Sequence, residues 1–594
     1  MSQFFKFLFA SCLGTLLALG GMVLIGSAVI GSLVSNAESD VSIKENSVLQ
    51  LDLSGPVPER ANNMPVDPFS FETDDRPGLH QITAAIEHAA TDDDIEGIVV
   101  NMDNAALGQA SASVIRRALA QFKDSGKFIL GYAPYYSQSG YYVASLADTL
   151  FINPLGSVDL RGFGVEAPFV NDMLDKIGVE MQVFWVGEFK SATEIFRRNS
   201  MSDENREQTR AYLENAWGIY VDNVAGSRNL SAAEIDRIAN NYLARTAEDA
   251  VQLGLVDAIG YKSDLLISLR QRLGLDPDDK INSVGIVAYA NDKIKSDVVI
   301  GKDRIAVVYA EGSIVDGEGG PGMIGGDEYA KLFRKLLHDD KTKAMVLRIN
   351  SGGGSALASE NMLHELIRFK EAGKPLIVSM GDVAASGGYY MACEGDVVLA
   401  EPNTITGSIG VFGVIPNARE LLEDKMGIHM DTVKTGRFST GLSAYYEIEG
   451  EQAEIVTTSV EQIYDLFLKR VAEGRDMTKE EVNEIARGRV WTGKKAAEIG
   501  LVDQLGSLED AIALAAARLD MDPDDDDFRV KEYPVIKNPL EEMLEELAGK
   551  KDTEPVAQAA LHRELARLYP DYAYYREMLE MKGVQARMPL RVKW

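Results

Sequence analysis

The stretch KPLIVSMGDVAASGGYYMACEGDVVLAEP, residues 374–402, contains the pattern on which the fold prediction depends. It begins with an apolar strand candidate, continues through small residues around Ser386, and ends in a second apolar run. Two more buried-strand candidates lie upstream, RIAVVYAEGSI (from Arg304) and KAMVLRIN (from Lys343), and the helical patterns DEYAKLFRKLLHDD and SALASENMLHELIRFKEAG lie between the strands. Strands that alternate with helices predict an α/β fold with a parallel sheet and crossover helices.

The two halves of the chain repeat one another at an offset near 248 residues. GIVVNMDNAALGQASAS (from Gly97) matches AMVLRINSGGGSALASE (from Ala344), and GLVDAIG (from Gly254) matches GLVDQLG (from Gly500). Two further blocks, around the paired tyrosines and around VGEFK, match in the same order. Self-similarity of this extent indicates an internal duplication with two α/β domains in tandem.

Composition shifts and loop signals give the predicted domain boundaries. The sequence motifs DPDD and NDKIKSD indicate loops between the two copies, and MDPDDDD begins a region of different composition. The predicted division is a membrane anchor at 1–37, a first domain at 38–261, a connector at 262–302, a second domain at 303–520 and an extension of unassigned role at 521–594.

Each copy lacks one reactive group that the other copy has. When the tyrosine pairs are aligned, Ser386 of the second copy corresponds to Gln138 of the first. When GEF is aligned with GRF, Lys190 of the first copy corresponds to Ser439 of the second. Complementary loss of this kind is expected if Ser386 and Lys190 form one catalytic pair across the two halves.

A serine hydroxyl becomes a good nucleophile only when a base removes its proton. A lysine can serve as that base if burial lowers its pKa, because burial disfavours the charged ammonium. Phe184, Trp185, Val186 and Phe189 precede Lys190 and provide apolar surroundings. The alternative interpretations are a packing role for Ser386 and a surface position for Lys190. None of the sequence motifs contains a histidine that would replace the lysine, and the nearest are His364 and His429.

The segment NSGGGS, residues 350–355, lies between a predicted strand and a predicted helix. Glycines there let backbone N–H groups approach a substrate closely, as an oxyanion hole requires. Gly353 or Gly354, together with Gly387, is the predicted donor set. A tight strand-to-helix turn is the alternative, whereas a phosphate cradle lacks the lysine of a P-loop.

The whole-chain composition excludes several function classes. The net charge of −31 argues against a nucleic-acid partner, which would require a basic surface. The two cysteines exclude a disulfide framework, and the six histidines show no spacing typical of metal ligands. We therefore predict neither a metal nor another cofactor.

The N-terminal segment contains a single cation, Lys6, and no further charge before Glu38. Such an apolar run exceeds the roughly 20 residues that span a bilayer as a helix. It predicts a single membrane anchor with the N-terminus in the cytoplasm and the body on the far side of the inner membrane. A cleaved secretory signal ending at SNA, before Glu38, is the alternative.

Four segments together resemble the signal peptide peptidase A family in its long, tandem-domain form, also called protease IV: VGEFKSATEIFRR, RINSGGGSALASE, GDVAASGGYYMAC and EPNTITGSIGVFG. The resemblance implies two crotonase-like (Clp protease-like) domains and a serine endopeptidase that acts through an acyl-enzyme. It implies Ser386 as nucleophile, Lys190 as general base, and Ser408 as the residue that orients the lysine.

The same resemblance implies a membrane-anchored homotetramer that faces the bacterial periplasm and degrades remnant signal peptides and similar extended apolar segments. One departure is visible, because Gly352 stands where the family usually has proline. Three other functions remain open at this point: an acyl-CoA enzyme on the same fold, a catalytically silent membrane scaffold, and a protease that cleaves one specific membrane protein.

Overall fold

The computed structural model describes residues 43–53, 55–61, 77–103, 105–294, 303–320, 322–521, 529–534 and 584–588. The predicted membrane anchor at 1–37 lies outside these ranges. Within them, no helix combines the length and the apolar character needed to cross a membrane.

The first half is built on a parallel sheet of six strands in the order β8-β6-β5-β3-β1-β9. A separate two-stranded sheet joins β2 and β4, and β7 belongs to a third sheet described below. The strands are β1 (Ser47–Asp52), β2 (Gly55–Pro56), β3 (Ile95–Asn101), β4 (Ala105–Ala106), β5 (Phe128–Ala133), β6 (Thr149–Ile152), β7 (Glu180–Val186), β8 (Ala258–Ile259) and β9 (Asn282–Gly285).

The second half repeats this order as β20-β16-β15-β13-β10-β21, with all of these pairs parallel, and β17 and β19 extend the sheet beside β15. The strands are β10 (Arg304–Glu311), β11 (Ser313–Val315), β12 (Met323–Gly325), β13 (Thr342–Ser351), β14 (Gly353–Ser355), β15 (Leu376–Ala385), β16 (Val397–Ala400), β17 (Ile405–Gly407), β18 (Val411–Asn417), β19 (Val490–Thr492), β20 (Gln504–Leu505), β21 (Val530–Tyr533) and β22 (Val584–Arg587).

Seventeen α-helices occur in the described part of the chain, and most of them connect or cover the parallel strands. They are α1 (Leu79–Thr91), α2 (Gln109–Asp124), α3 (Gln138–Ala144), α4 (Asn171–Ile177), α5 (Glu194–Arg197), α6 (Asp203–Arg228), α7 (Ala232–Asn240), α8 (Ala247–Gln252), α9 (Lys262–Arg272), α10 (Ile286–Lys293), α11 (Gly326–Leu337), α12 (Ala356–Glu371), α13 (Gly387–Ala392), α14 (Gly450–Arg475), α15 (Lys479–Ile485), α16 (Gly493–Glu498) and α17 (Leu508–Arg518).

Helix α12 shows how the sequence produces this packing. The Ser355 hydroxyl accepts a hydrogen bond from the N–H of Ala358 at 3.2 Å, which caps the first turn. Apolar residues at helical spacing then face the sheet and are fully buried: Met362, Leu363, Leu366 and Phe369. The strands they cover are apolar on both faces, as expected for a parallel sheet with helices on either side. The predicted α/β class is confirmed.

The duplication is visible in individual hydrogen bonds. The Tyr141 hydroxyl donates to the carbonyl oxygen of Leu255 at 2.7 Å in the first half. The Tyr389 hydroxyl donates to the carbonyl oxygen of Leu501 at 2.8 Å in the second half. The two bonds join the YY and GLVD sequence motifs of each copy, so the repeat read from the sequence is also a repeat of tertiary contacts.

Each half ends on an edge strand that pairs with its own first strand. Strand β9 pairs with β1 in the first sheet, and β21 pairs with β10 in the second. The range 262–302, predicted as a connector, therefore contains α9, β9 and α10, and β9 belongs to the first sheet. Similarly, β21 extends the second sheet beyond residue 520.

A third sheet joins the two halves, in the order β12-β11-β14-β22-β18-β7. Strand β7 of the first half pairs antiparallel with β18 of the second half, from Val186 opposite Val411 to Glu180 opposite Asn417. This pairing brings the chain that follows β7 next to the second half.

A buried ion pair also connects the halves. Arg348, on β13, donates from Nε to Oε2 of Glu59 at 2.8 Å and from Nη2 to Oε1 at 3.2 Å. Its Nη1 donates to the Ser379 hydroxyl and to the carbonyl oxygen of Met380. Because both charged side chains are almost completely buried, each depends on the other for its neutralisation.

The variant Arg348→Met is expected to lower the free energy of unfolding by about 3–5 kcal/mol, because it leaves the Glu59 carboxylate buried without its partner. Urea unfolding followed by tryptophan fluorescence measures the change. The control is Arg237→Met, which removes an exposed ion pair with Glu234 and should leave the transition in place. An Arg348→Met transition that coincides with the wild-type transition would contradict the structural role of the pair.

Candidate active site

Ser386 lies at the sharp turn between β15 and α13. Its backbone has φ 55° and ψ −115°, a conformation that is strained for a residue with a side chain. The turn is held by the Ser386 N–H, which donates to the carbonyl oxygen of Gly407 at 2.8 Å. Backbone strain of this kind is typical of functional positions, and here it fixes the hydroxyl at the end of a central strand.

The small residues after Ser386 are required by close packing. A Cβ atom at Gly387 would lie 2.7 Å from the Ser359 hydroxyl, and one at Gly388 would lie 2.8 Å from the carbonyl oxygen of Ser351. The packing interpretation of this stretch is therefore correct for the two glycines. Ser386 itself is also fully buried, and its hydroxyl contacts the amine of Lys190.

Lys190 follows β7, and its side chain is fully buried. The segment around Gly488 encloses it: the N–H of Phe189 donates to the carbonyl oxygen of Arg487 at 2.9 Å, and a Cβ at Gly488 would lie 2.6 Å from the Lys190 Cβ. Trp185, by contrast, is 42% exposed and packs under the Arg197 guanidinium. The sequence predicted that nearby aromatic residues bury Lys190. Part of this burial comes instead from the backbone around Gly488, which the sequence analysis did not identify.

The side chains of Lys190 and Ser386 meet across the two halves. Lys190 Nζ lies 2.7 Å from Ser386 Oγ, within hydrogen-bond distance. It also donates to the carbonyl oxygen of Ser408 at 2.9 Å and lies 3.0 Å from the Ser408 hydroxyl. An ammonium would donate to Ser386, whereas a neutral amine would accept the hydroxyl proton.

Burial holds the pKa of the Lys190 amine well below its usual range, and burial is the cause of this shift. A buried ammonium is stabilised by a nearby carboxylate, but the hydrogen-bond partners of Nζ in the described part of the chain are neutral hydroxyl and carbonyl groups. The site therefore favours the neutral amine, which is the form that can accept a proton.

The backbone of Ser408, like that of Ser386, has a positive φ angle and is fixed by a hydrogen bond. Its φ is 50°, and its N–H donates to the carbonyl oxygen of Arg489 at 2.7 Å. Because its carbonyl oxygen and hydroxyl both contact Nζ, the rotation of the lysine side chain is restricted toward Ser386. Ser408, for which the family resemblance implies a lysine-orienting role, thus lies in contact with Lys190 Nζ.

The predicted oxyanion glycines lie on the other side of Ser386. A Cβ at Gly353 would lie 2.7 Å from the backbone nitrogen of Gly387, so the two residues are adjacent. The Gly353 N–H donates to the Ser351 hydroxyl at 3.1 Å. Gly354 is the next residue of β14, and a Cβ there would overlap the carbonyl oxygen of Ile314. Both β14 glycines have positive φ angles, 96° and 157°, which only glycine adopts easily.

The equivalent position in the first half contains no hydroxyl. Gln138 begins α3, and its side-chain oxygen accepts from the N–H groups of Arg161 and Gly162, both at 2.9 Å. Its amide nitrogen donates to the carbonyl oxygen of Gly162 at 3.1 Å. Ser439, the counterpart of Lys190, is exposed. The structure therefore brings together the residues retained by complementary copies and separates their counterparts.

Two alternatives to the pair can be compared with the structure. His429 is exposed, and in the described part of the chain no histidine hydrogen-bonds to Ser386. The buried Cys393 has a thiol whose pKa is raised by burial, which disfavours the reactive thiolate.

Sequence analysis did not identify two groups at the site. Residues 487–489 supply the backbone around Lys190, and the only signal for them is a glycine between two arginines in ARGRV. Gln208 was also not identified; its amide donates to the carbonyl oxygen of Phe189 at 3.0 Å and to the Ser191 hydroxyl at 2.9 Å. Because it lies within the long helix α6, its sequence context resembles that of an ordinary helical glutamine.

Comparisons with known proteins agree with the duplication. A model of peptidase family S49 matches the chain twice, at residues 121–276 and 368–522. The chain is 38% identical to protease 4 of Haemophilus influenzae over 442 residues, which is 73% of this chain and 71% of the relative. It is 38% identical to protease 4 of Salmonella typhi over 446 residues, 74% of this chain and 71% of the relative.

A plant relative shows the same relation. The chain is 34% identical over 479 residues to the chloroplastic serine protease SPPA of Arabidopsis thaliana, covering 80% of this chain and 69% of that protein. Three findings agree with the resemblance found in the sequence motifs: the two matches to the family model, their tandem arrangement, and the length shared with the relatives. The chain therefore belongs to peptidase family S49, in the tandem-domain signal peptide peptidase A form, and is a serine protease.

Proposed function

We propose that the protein is an endopeptidase that cleaves peptides through an acyl-enzyme, with Ser386 as nucleophile and Lys190 as general base. The observation that carries the proposal is the 2.7 Å distance between Lys190 Nζ and Ser386 Oγ, both fully buried and contributed by different halves. Neither half contains both groups, because Gln138 replaces the serine in the first half and Ser439 replaces the lysine in the second. A shared catalytic function explains why each half retains one of the two groups, whereas packing alone does not.

The reaction begins when neutral Lys190 accepts the Ser386 proton as Oγ attacks the carbonyl carbon of the scissile bond. The tetrahedral intermediate collapses to a Ser386 ester, and Lys190 transfers its proton to the nitrogen of the leaving amine. Lys190 then removes a proton from the attacking water and returns it to Ser386 as the ester is hydrolysed. A lysine of lowered pKa can perform both proton transfers near neutral pH.

The negative charge on the carbonyl oxygen requires donors that are already in position. Gly387 directly follows Ser386 in the chain, and Gly353 packs against the Gly387 backbone nitrogen. The Gly387 N–H and the N–H of Gly353 or Gly354 are the proposed donors; of these, the Gly353 N–H also donates to the Ser351 hydroxyl. Ser408 positions the lysine, because its two oxygens contact Nζ at 2.9 and 3.0 Å. The flexible Gly352, next to the donors, makes this side of the site less rigid than a proline would.

The proposed substrates are remnant signal peptides and other extended apolar peptides, as the family resemblance implies. An extended peptide can bind by pairing with strand β14, next to the nucleophile. Cleavage of one specific membrane protein is the second candidate, and it would use the same site and chemistry.

The cellular arrangement is also part of the proposal. Residues 1–37 would form a single-pass anchor in the bacterial inner membrane, with the catalytic body on the periplasmic side. The two halves would be crotonase-like domains of one subunit in a homotetramer. A group of exposed apolar side chains supports a subunit contact: Met426, Met430, Val433 and Leu442.

Mapping the acyl-enzyme tests the proposal. The full chain in detergent micelles is incubated with a synthetic leader peptide, quenched in acid, digested and examined by mass spectrometry. We expect the peptide to be cleaved and its N-terminal fragment to be found as an ester on Ser386. An ester on another residue, or turnover of acyl-CoA without peptide cleavage, would overturn the assignment.

A further inference from the structure

Strand β22 is a short C-terminal segment at an unusual position. It is an interior strand of the six-stranded third sheet, between β14 and β18. Strand β14 carries Gly353 and Gly354, and β18 pairs with β7, which leads to Lys190. Since β14 and β18 are joined only through β22 in this sheet, the segment fills the cleft between the two sides of the catalytic pair.

The segment is held by backbone pairing on both of its edges. On one edge it runs antiparallel to β14, with Arg587 opposite Gly353 and Ala586 opposite Gly354. The pairing continues beyond the strand, where the N–H of Met588 donates to the carbonyl oxygen of Gly352 at 2.6 Å.

On the other edge, β22 runs antiparallel to β18, with Gln585 opposite Phe412 and Val584 opposite Gly413. An extended peptide added to a sheet in this way is recognised mainly through its main chain. This binding mode suits a protease that accepts many sequences.

The register brings one carbonyl of the segment next to two of the glycines predicted to supply the oxyanion donors. A Cβ at Gly353 would overlap the carbonyl oxygen of Ala586, and a Cβ at Gly387 would lie 3.1 Å from the same oxygen. The two glycines predicted to bind the oxyanion thus leave space for one carbonyl of the tail. Ala586 is fully buried, as is Ser386, so a second peptide cannot occupy this place while β22 remains in it.

We propose that residues 584–588 are a tethered, substrate-like strand that closes the peptide cleft, and that a peptide substrate binds by replacing it. The inference rests on the proposed peptidase function, since it names the occupant of that same site. The segment is connected to β21 through the 50 residues 534–583, so it competes as part of the same molecule, at a high effective concentration.

The first test measures displacement and does not require catalysis. In the full-length Ser386→Ala variant, hydrogen exchange is followed by mass spectrometry at the amides of 584–588. The probe is an N-acetylated, C-amidated synthetic peptide with the sequence of residues 581–591, MKGVQARMPLR. We expect protected tail amides in the free protein and at least 10-fold faster exchange with saturating peptide. Tail amides that are unprotected in the free protein, or that stay protected with peptide bound, would overturn the proposal.

The second test uses turnover of a fluorogenic peptide by the full-length variant Ala586→Asp. A charged side chain at this fully buried position should expel the strand. Because the tail competes with substrate, we expect KM to fall about 5- to 10-fold while kcat is unchanged. Ala517→Asp, on the exposed side of α17, is the matched control and should change neither constant.

The two tests distinguish this inference from the proposed function. Displacement of the tail in Ser386→Ala, together with no cleavage of the same peptide by the wild-type protein, would support the strand as cleft occupant and reject the proposed endopeptidase function. Normal peptide cleavage with KM unchanged in Ala586→Asp would leave the peptidase in place and reject the tethered strand.

Discussion

Replacing Lys190 with methionine is expected to lower kcat for peptide cleavage by about 10³-fold or more, since a positioned general base contributes about 10²–10⁴-fold. Methionine has a similar length but accepts no proton, so the hydroxyl of Ser386 loses its base at 2.7 Å. Steady-state kinetics with a fluorogenic peptide measures the loss. The control is Lys127→Met, because Lys127 is a lysine whose pKa burial also lowers and whose amine donates to two backbone carbonyl oxygens. Its replacement should leave kcat unchanged.

The same variant has a pH signature. In the wild type, kcat/KM should rise with pH through the pKa of Lys190, at values below the usual lysine pKa of about 10.4. The folded protein releases this proton at a lower pH than the unfolded chain does, so stability should also rise with pH between the two pKa values. Lys190→Met should lack this stability change and should be no less stable than the wild type near neutral pH. Full activity in Lys190→Met would reject lysine as the base.

The variant Ser386→Ala is expected to reduce peptide cleavage on the order of 10⁴-fold or more, because no other group forms the acyl-enzyme. Its thermal midpoint should stay close to that of the wild type, since alanine preserves the backbone and loses only the contact with Lys190. Peptide cleavage and the trapping of an ester are both measured. Ser137→Ala is the control from the equivalent turn of the first half, where the hydroxyl accepts from the N–H of Gly140. Cleavage that persists in Ser386→Ala would identify a different nucleophile.

The sequence predicted the parts of the site that depend on local pattern and on comparison between copies. The strands around Ser386 could be recognised because they are apolar runs between glycine-rich turns. Lys190 could be identified because its counterpart, Ser439, lacks an amine and because VGEFKSATEIFRR resembles a segment of the signal peptide peptidase A family. Both inferences use features that can be read directly from the sequence, namely the periodicity of apolar residues and the internal repeat.

Other parts of the structure depend on contacts that have no local signal. The pairing of β9 with β1 could not be predicted, because its four residues, NSVG, resemble a loop. Strand β22, with the sequence VQAR, alternates apolar and polar residues, and Ala586 packs into the core of the second half. Four residues are too short a pattern to predict a strand, and β22 is recognised only by its backbone pairing with β14 and β18. The enclosure of Lys190 by Gly488 likewise depends on a chain reversal nearly 300 residues further along.

The third sheet draws on segments near residues 183, 314, 324, 354, 414 and 585, and the two side chains of the proposed catalytic pair are separated by 196 positions. Contacts between such remote segments form late, because long loops must close first. During synthesis, a ribosome that has completed the first half has made a chain with an amine but no partner alcohol. If these two groups are the catalytic pair, as proposed, the growing polypeptide cannot digest itself or its neighbours until most of its length has been translated and folded. Under the proposed mechanism, division of the Ser386–Lys190 pair between the halves delays catalysis until both halves are complete.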